Sequence, residues 1–495
     1  MQLTKPFSRG VLIWDTDWDD PKKREVLDAN APADHVVLLT VAGRKVSDAA
    51  VARDVDFIVA RIRSNGFDTW TRSDVHTLRN RLREIGRDDD VRAVEVVIRG
   101  KVTPVAAHAS HSQPKTPSGK TGALHVNYTT GDDGSRFDTE FQHVQFFIQC
   151  AEELGFRLEI FTTGKGSADL ESAGLLGRPG VEVLRAAHNP AKWAEDSVEF
   201  LVSGQVAVLE KFLPIGLAEG LTAGRRQRWA GLISDPAHQG KPFDRMQVHD
   251  WVPEGLSVNS SPTGDDRARA VEDAGAGPVR RLRFYGEGGN LVTGDLADGR
   301  VVVLVGRDAI AATKAEYFFT DDDDVLRVIA EDFGLEVGQV VPVEQPGKFH
   351  LDMGLMFVGE GRVVLNDCRA ELEAARAAVA GGGTDTELVA KLELRSGLEA
   401  LARADLERAG LEVRQVKLEA GWAHNFFNGE FVTGQDGKAY FLTNGTANAE
   451  AKAALEALLV QDLGVVAGIR YSPVSAAAKS LAEQGGVGCR AKGSR

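Results

Sequence analysis

From about residue 140 onward one order of elements recurs: a helix, a strand, a polar turn, then a pair of strands. In FQHVQFFIQCAEELGFRLEIFTT, Phe147, Cys150, Ala151 and Leu154 fall at i, i+3, i+4 and i+7. That spacing puts four side chains on one helix face, and the strand-like RLEIFTT follows. DDVLRVIAEDFGLEVGQVVPV and LEALARADLERAGLEVRQVKL repeat the helix-to-strand order. GEFVTGQDGKAYFLTNG reads as two alternating runs joined at a QDG turn. Units returning roughly every 60–90 residues point to an α/β array arranged around an axis.

The first hundred or so residues also alternate. GVLIWD, DHVVLLTVAG and VRAVEVVIRG read as strands, and AAVARDVDFIVARIRS and SDVHTLRNRLREIG as helices. The polar stretch HASHSQPKTPSGKTG at 108–122 has loop composition and marks a boundary. Residues 1–115 are therefore expected to form an N-terminal α/β region, and 116–495 the domain of repeating units. A chain of 495 residues is long enough for two or three such bodies.

A net charge of −14 argues against nucleic acid or an anionic membrane surface as a partner. Three cysteines without a CxxC pair give neither a disulfide framework nor a cysteine zinc site. A reducing compartment suits them. The opening MQLTKPFSRGVLIWD has no apolar signal region, and no apolar run approaches a membrane span. The cytoplasm is the expected location.

Some candidate motifs fail on chemistry. PKTPSGKT has Pro114 where a phosphate-binding loop needs its first glycine, and reads as a linker. Asp321–Asp324 lacks calcium-loop spacing and suits a helix N-terminus. His108 and His111 have no nearby thiol or carboxylate in sequence, so no metal is expected there.

Three stretches remain. YGEGGNLVTGD sets Glu287 beside two glycines at the end of the strand VRRLRFY. GKFHLDMGLMFV spaces His350 and Asp352 by two, which on a strand points both to one face. Leu351 and Met353 would then face a core. GGVGC puts Cys489 among glycines six residues from the end of the sequence. Free cysteine is usually a core residue, and chain ends usually fray.

In the order EGGN, HLD, GGxxC, these stretches resemble the guanidino-group-modifying superfamily of deiminases, dimethylarginine hydrolases and amidinotransferases. The motifs are closest to agmatine and protein-arginine deiminases, and the likeness spans roughly residues 120–495. It implies a five-bladed α/β propeller (the pentein fold) with the site on its axis, preceded here by the extra N-terminal region. It also implies a nucleophile at Cys489, a general acid and base at His350, Glu287 holding the imidazole, and Asp352 binding the guanidinium. The second substrate carboxylate follows a strand and an aromatic residue. Trp193-Ala-Glu-Asp196 supplies it, with Asp250 in MQVHDWVPEGL as the rival. The implied glycine role is to leave room for a planar substrate.

Two departures affect the choice of substrate: Gly488 stands where agmatine and protein-arginine deiminases usually have histidine, and the span from Asp196 to Glu287 is long. The implied reaction is deimination of a small cationic guanidino compound or an arginine side chain, without a cofactor. Calcium dependence and oligomeric state stay open. Amidinotransfer on the same fold, or a non-catalytic interaction module, are the alternatives. The polar tail Ala491–Arg495 reads as having little to bury.

Overall fold

The computed structural model describes Val11–Asp15, Val36–Val41, Arg44–Lys45 and, with short gaps, residues 113–210, 277–310 and 322–494. The chain divides into two compact units. In one, Val11–Asp15 pairs in parallel with Val36–Val41, which pairs antiparallel with Arg44–Lys45. These are the first two runs expected as strands. The two helices expected between residues 49 and 86, and the strand VRAVEVVIRG, lie outside the described residues.

The other unit is mixed α/β, and among the described residues it holds five sheets wired alike. In each, a first strand pairs antiparallel with a second, and the second pairs in parallel with a third. The first sheet runs Val198–Phe200, Val206–Glu210, Val279–Tyr285. The second runs Leu291–Asp295, Val301–Gly306, Val340–Val343. The third runs Leu355–Gly359, Arg362–Leu365, Glu412–Gln415. The fourth runs Gly429–Thr433, Ala439–Thr443, Gly468–Tyr471. The fifth joins distant parts of the chain. Its first strand, Ala491–Gly493, pairs with Ala123–Asn127, and Arg157–Thr163 and Val181–Ala186 follow in parallel.

A parallel pair needs a long crossover, usually a helix, and this requirement explains the recurring helix-to-strand order. Asp138–Leu154 precedes Arg157–Thr163, and Thr386–Arg408 precedes Glu412–Gln415. Asp322–Phe333, with three aspartates in its first turn, precedes Val340–Val343. In Asp138–Leu154 the expected face is buried, and Phe147, Cys150, Ala151 and Leu154 join one core with Leu124, Leu158 and Ile160. Gly155 ends that helix at φ 75° and donates its N–H to the Ala151 carbonyl. That left-handed position suits glycine. Val301–Gly306 is buried along its whole length, as a central strand covered on both faces should be.

First strands of neighbouring sheets lie against one another. Leu291–Asp295 touches Leu355–Gly359, and Ala491–Gly493 touches both Gly429–Thr433 and Val198–Phe200. Among the described residues no helix is long and apolar enough to cross a membrane.

Three expectations are corrected. His350 and Asp352 do not sit on a strand: His350 is extended and Leu351–Met353 forms a 3-10 turn before Leu355–Gly359. Gln113–Thr116 is more than linker, because Lys115 donates its N–H to Phe200 O at 2.9 Å and accompanies the first sheet. The tail after Cys489 is not idle: Ala491 is fully buried, Lys492 is 8% exposed, and both lie in the fifth sheet's first strand.

Candidate active site

Each first strand is entered from a turn, and the turns carry the polar residues. Glu195 precedes Val198–Phe200, Gly288–Asn290 precedes Leu291–Asp295, and Leu351–Met353 precedes Leu355–Gly359. Asn428 precedes Gly429–Thr433, and Gly488–Arg490 precedes Ala491–Gly493. A side chain placed just ahead of a first strand therefore meets its counterparts from the other sheets.

These turns bring Cys489 to Asp352 and its near neighbour His350, which lie more than a hundred residues earlier in the sequence. Cys489 Sγ lies 3.5 Å from Asp352 Oδ2. His350 Nδ1 lies 3.9 Å from Asp352 Oδ1. All three are buried, at 3%, 2% and 8% exposure. Gly288–Asn290 packs on the same spot: a Cβ on Gly289 would overlap the His350 ring and come within 2.8 Å of Asp352 Oδ1. A Cβ on Gly288 would overlap the Glu195 carbonyl. Glycine is required at both positions because backbone and side chains already fill the space.

Glu195 and Asn428 are the residues that sequence reasoning missed. The carboxylates of Glu195 and Asp352 and the Cys489 thiol lie within 4.8 Å of one another. This donor set suits a planar organic cation, and a divalent cation would also find ligands in it. Asn428 donates from Nδ2 to Asp352 Oδ2, and to Cys489 Sγ at 3.0 Å. Its Oδ1 accepts the Cys489 N–H at 3.2 Å. The available signals were its place one residue before a strand and the pair of asparagines in NFFNG.

Asp196, Glu287 and the rival Asp250 lie outside the described residues, as do His108 and His111. Trp193 is described. The Arg490 guanidinium sits 4.6 Å from its ring centroid, and Gly485 lies against the ring's edge.

The turn that carries Cys489 owes its glycines to its neighbours. A Cβ on Gly486 would come within 2.6 Å of Asn428 Oδ1, and one on Gly488 within 2.9 Å of the Gly429 nitrogen. The space expected for a planar substrate is here taken by Trp193, Asn428 and Asn444. Asn444 Oδ1 in turn accepts the Val487 N–H at 3.0 Å.

Below the site, Lys492 meets Glu199 at 2.6 Å and Glu195 at 3.7 Å. Burial would lower this ammonium, but Glu199, Glu195 and Glu430 outweigh burial and hold it above its usual range. Burial pushes the Glu430 carboxyl well above the usual carboxylate range, against the pull of Lys492. A cavity lined by Glu195, Asp352, Thr293, Glu430, Lys115 and Lys492 adjoins these groups. Cys150 and Cys368 lie elsewhere, and burial pushes both thiols up to about 12.

No family model and no curated protein matches the chain. Among solved structures the chain is similar to an agmatine deiminase from C. jejuni with substrate bound. Identity is 12% over 77% of this chain and 97% of that one, at a TM-score of 0.47. It is similar to the agmatine deiminase of Enterococcus faecalis at 14% identity, covering 79% of this chain and 98% of the other, TM-score 0.46. It is also similar to DDAH from Pseudomonas aeruginosa complexed with citrulline, at 10% identity, covering 75% and 98%, TM-score 0.33.

Proposed function

We propose that the chain is a cysteine-dependent hydrolase of a guanidino C–N bond, a deiminase that works through a covalent thiouronium. The observation that carries this reading is the meeting of Cys489 Sγ, the Asp352 carboxylate and the His350 imidazole in one buried place, with Glu195 beside them. In this reading the five sheets are the blades of an α/β propeller, and the turns ahead of their first strands line its axis.

A guanidinium is planar and permanently charged, and its N–H donors form a fixed fork. Carboxylates take such a fork through paired, charge-assisted hydrogen bonds. Asp352 supplies one carboxylate; Asp196, or Glu195 next to it, supplies the other. The bound cation favours the thiolate form of Cys489, which is the nucleophilic form. The sulfur bonds to the central carbon, His350 protonates the leaving nitrogen, and the C–N bond breaks to release ammonia. His350 then takes a proton from water as its oxygen adds to the same carbon. The C–S bond breaks, the thiolate returns, and a ureido product leaves. Glu287 holds the imidazole in this scheme.

The test is an ammonia-release screen over guanidino compounds: free arginine, modified arginines, agmatine and arginyl peptides. Ammonia from at least one compound, abolished by Cys489→Ser, is the expected result. Turnover only with an added amine acceptor would mean amidinotransfer. Neither ammonia nor transfer would leave the interaction module as the reading.

A further inference from the structure

We infer that Asn428 is a catalytic residue of this site: its side-chain amide stabilises the Cys489 thiolate and ties the nucleophile to Asp352. The inference rests on reading Cys489 as the nucleophile.

The orientation of the amide follows from its neighbours. The Cys489 backbone N–H can only donate, so the atom facing it at 3.2 Å is Asn428 Oδ1. The NH2 end must then face Cys489 Sγ, at 3.0 Å, and Asp352 Oδ2. One planar group thus fixes the nucleophile's backbone, its sulfur and a carboxylate on another sheet.

Asn428 is itself held rigidly and is fully buried. Its carbonyl accepts from Asn444 Nδ2 at 3.0 Å, and its N–H reaches Asn425 Oδ1 at 3.4 Å. Asn425 Nδ2 donates to Met353 O at 2.8 Å, and Asn444 Oδ1 receives the Val487 N–H. Three asparagines of the fourth sheet therefore hold the turn that carries Asp352 against the turn that carries Cys489.

The electrostatics give such a donor a role. Asp352 and Glu195 face the sulfur, and both disfavour its ionisation. Among the described residues, His350 lies beside Asp352, and Lys492 is engaged with Glu199 and Glu195. Arg490, next in sequence to Cys489, turns away to Glu140 and the Trp193 ring. The Asn428 N–H is aimed at the sulfur itself, and a donor to the charged form favours that form. When the thiol is protonated, Sγ lies within reach of Asp352 Oδ2.

The experiment measures the rate of Cys489 alkylation by iodoacetamide against pH, with no substrate present, in the intact chain and in Asn428→Asp and Asn428→Ala. The aspartate variant keeps the shape but places a third carboxylate at the sulfur; the alanine variant removes the donor. Circular dichroism establishes which variants are folded, and either one suffices. An upward shift of the alkylation midpoint by about one pH unit or more, larger for the aspartate variant, is expected from loss of a charge-assisted contact. An unchanged midpoint in a folded variant would overturn the inference and leave the proposed function intact. Failure of Cys489 to react in the unaltered chain at any pH would instead remove the proposed function, and the inference with it.

Discussion

The backbone N–H of Glu195 donates to the carbonyl of Cys489 at 3.1 Å, joining the segment that follows Trp193 directly to the turn that carries the thiol. This bond brings Glu195 to the thiol and makes it a contender for the second substrate carboxylate. Asp352→Asn keeps the shape and deletes half of a guanidinium fork. We expect a loss of about 2–4 kcal/mol in transition-state stabilisation, the scale for one preorganised electrostatic partner. Kinetics of Glu195→Gln, Asp196→Asn and Asp250→Asn then assign the other half. Loss with Asp196 or Glu195 and not with Asp250 is the expected result; a dead Asp250→Asn beside two active variants would reverse the choice.

Gly289 has no room for a side chain, because a Cβ would overlap the His350 imidazole. Gly289→Ala should displace that ring and cost about 1–3 kcal/mol in stability, the usual penalty of overpacking. Turnover should fall by much more than the stability loss accounts for. A variant with wild-type kcat would mean that His350 is not the proton carrier.

Labelling should single out one thiol. Burial pushes Cys150 and Cys368 up to about 12, so both stay protonated at neutral pH. A haloacetamidine at pH 7.5, followed by peptide mass spectrometry, should mark Cys489 alone, and a guanidino substrate should slow the marking. Dominant labelling of either other cysteine would contradict the assignment.

The charge cluster below the site predicts how stability follows pH. Burial raises the Glu430 carboxyl well above the usual range in the folded state, against the pull of Lys492. An unfolded glutamate gives the proton up above roughly 4.3. Its contribution is therefore complete below that value and fades as pH rises through the folded-state value. Lys492, held above its own usual range, keeps its contribution until alkaline pH. Glu430→Gln should flatten the decline in melting temperature as pH rises above the unfolded-state value. Lys492→Met, which strands the surrounding carboxylates, should cost about 3–5 kcal/mol. A Glu430→Gln protein with the parent's pH slope would show that Glu430 is not the titrating group.

Local chemistry made part of this molecule legible. The helix-to-strand order shows in apolar spacing, because one face of Asp138–Leu154 must meet a sheet. The hairpin Gly429–Thr433 to Ala439–Thr443 shows in its glycine turn. His350, Asp352 and Cys489 stood out as reactive groups in glycine-rich or apolar settings. Asn428 did not, since an asparagine before glycine looks like an ordinary turn residue until the thiol beside it is seen. The 3-10 turn at Leu351–Met353 was hidden because a two-residue spacing suits a strand equally well. The glycines of the turn that carries Cys489 looked like space for a ligand, whereas Trp193, Asn428 and Asn444 fill that space.

Pairing between distant segments leaves no local pattern, and for this reason the chain's final residues were misjudged. Ala491–Gly493 pairs with Leu124–Val126, Lys492 is buried among carboxylates, and Lys115 Nζ donates to Ser494 O at 2.7 Å. Deleting Ala491–Arg495 therefore removes the fifth sheet's first strand and its buried cation together, although Cys489 remains. Most terminal trims are harmless because chain ends carry few contacts. This one should lower the melting temperature by several degrees or more, since a loss of even about 1 kcal/mol shifts it measurably, and it should reduce turnover as Cys489 loses its support. Deleting from Gly485 should abolish turnover outright. Thermal unfolding and ammonia release on both truncations separate the outcomes. A shorter truncation with the parent's melting temperature would mean that Ala491–Gly493 contributes nothing to the fifth sheet.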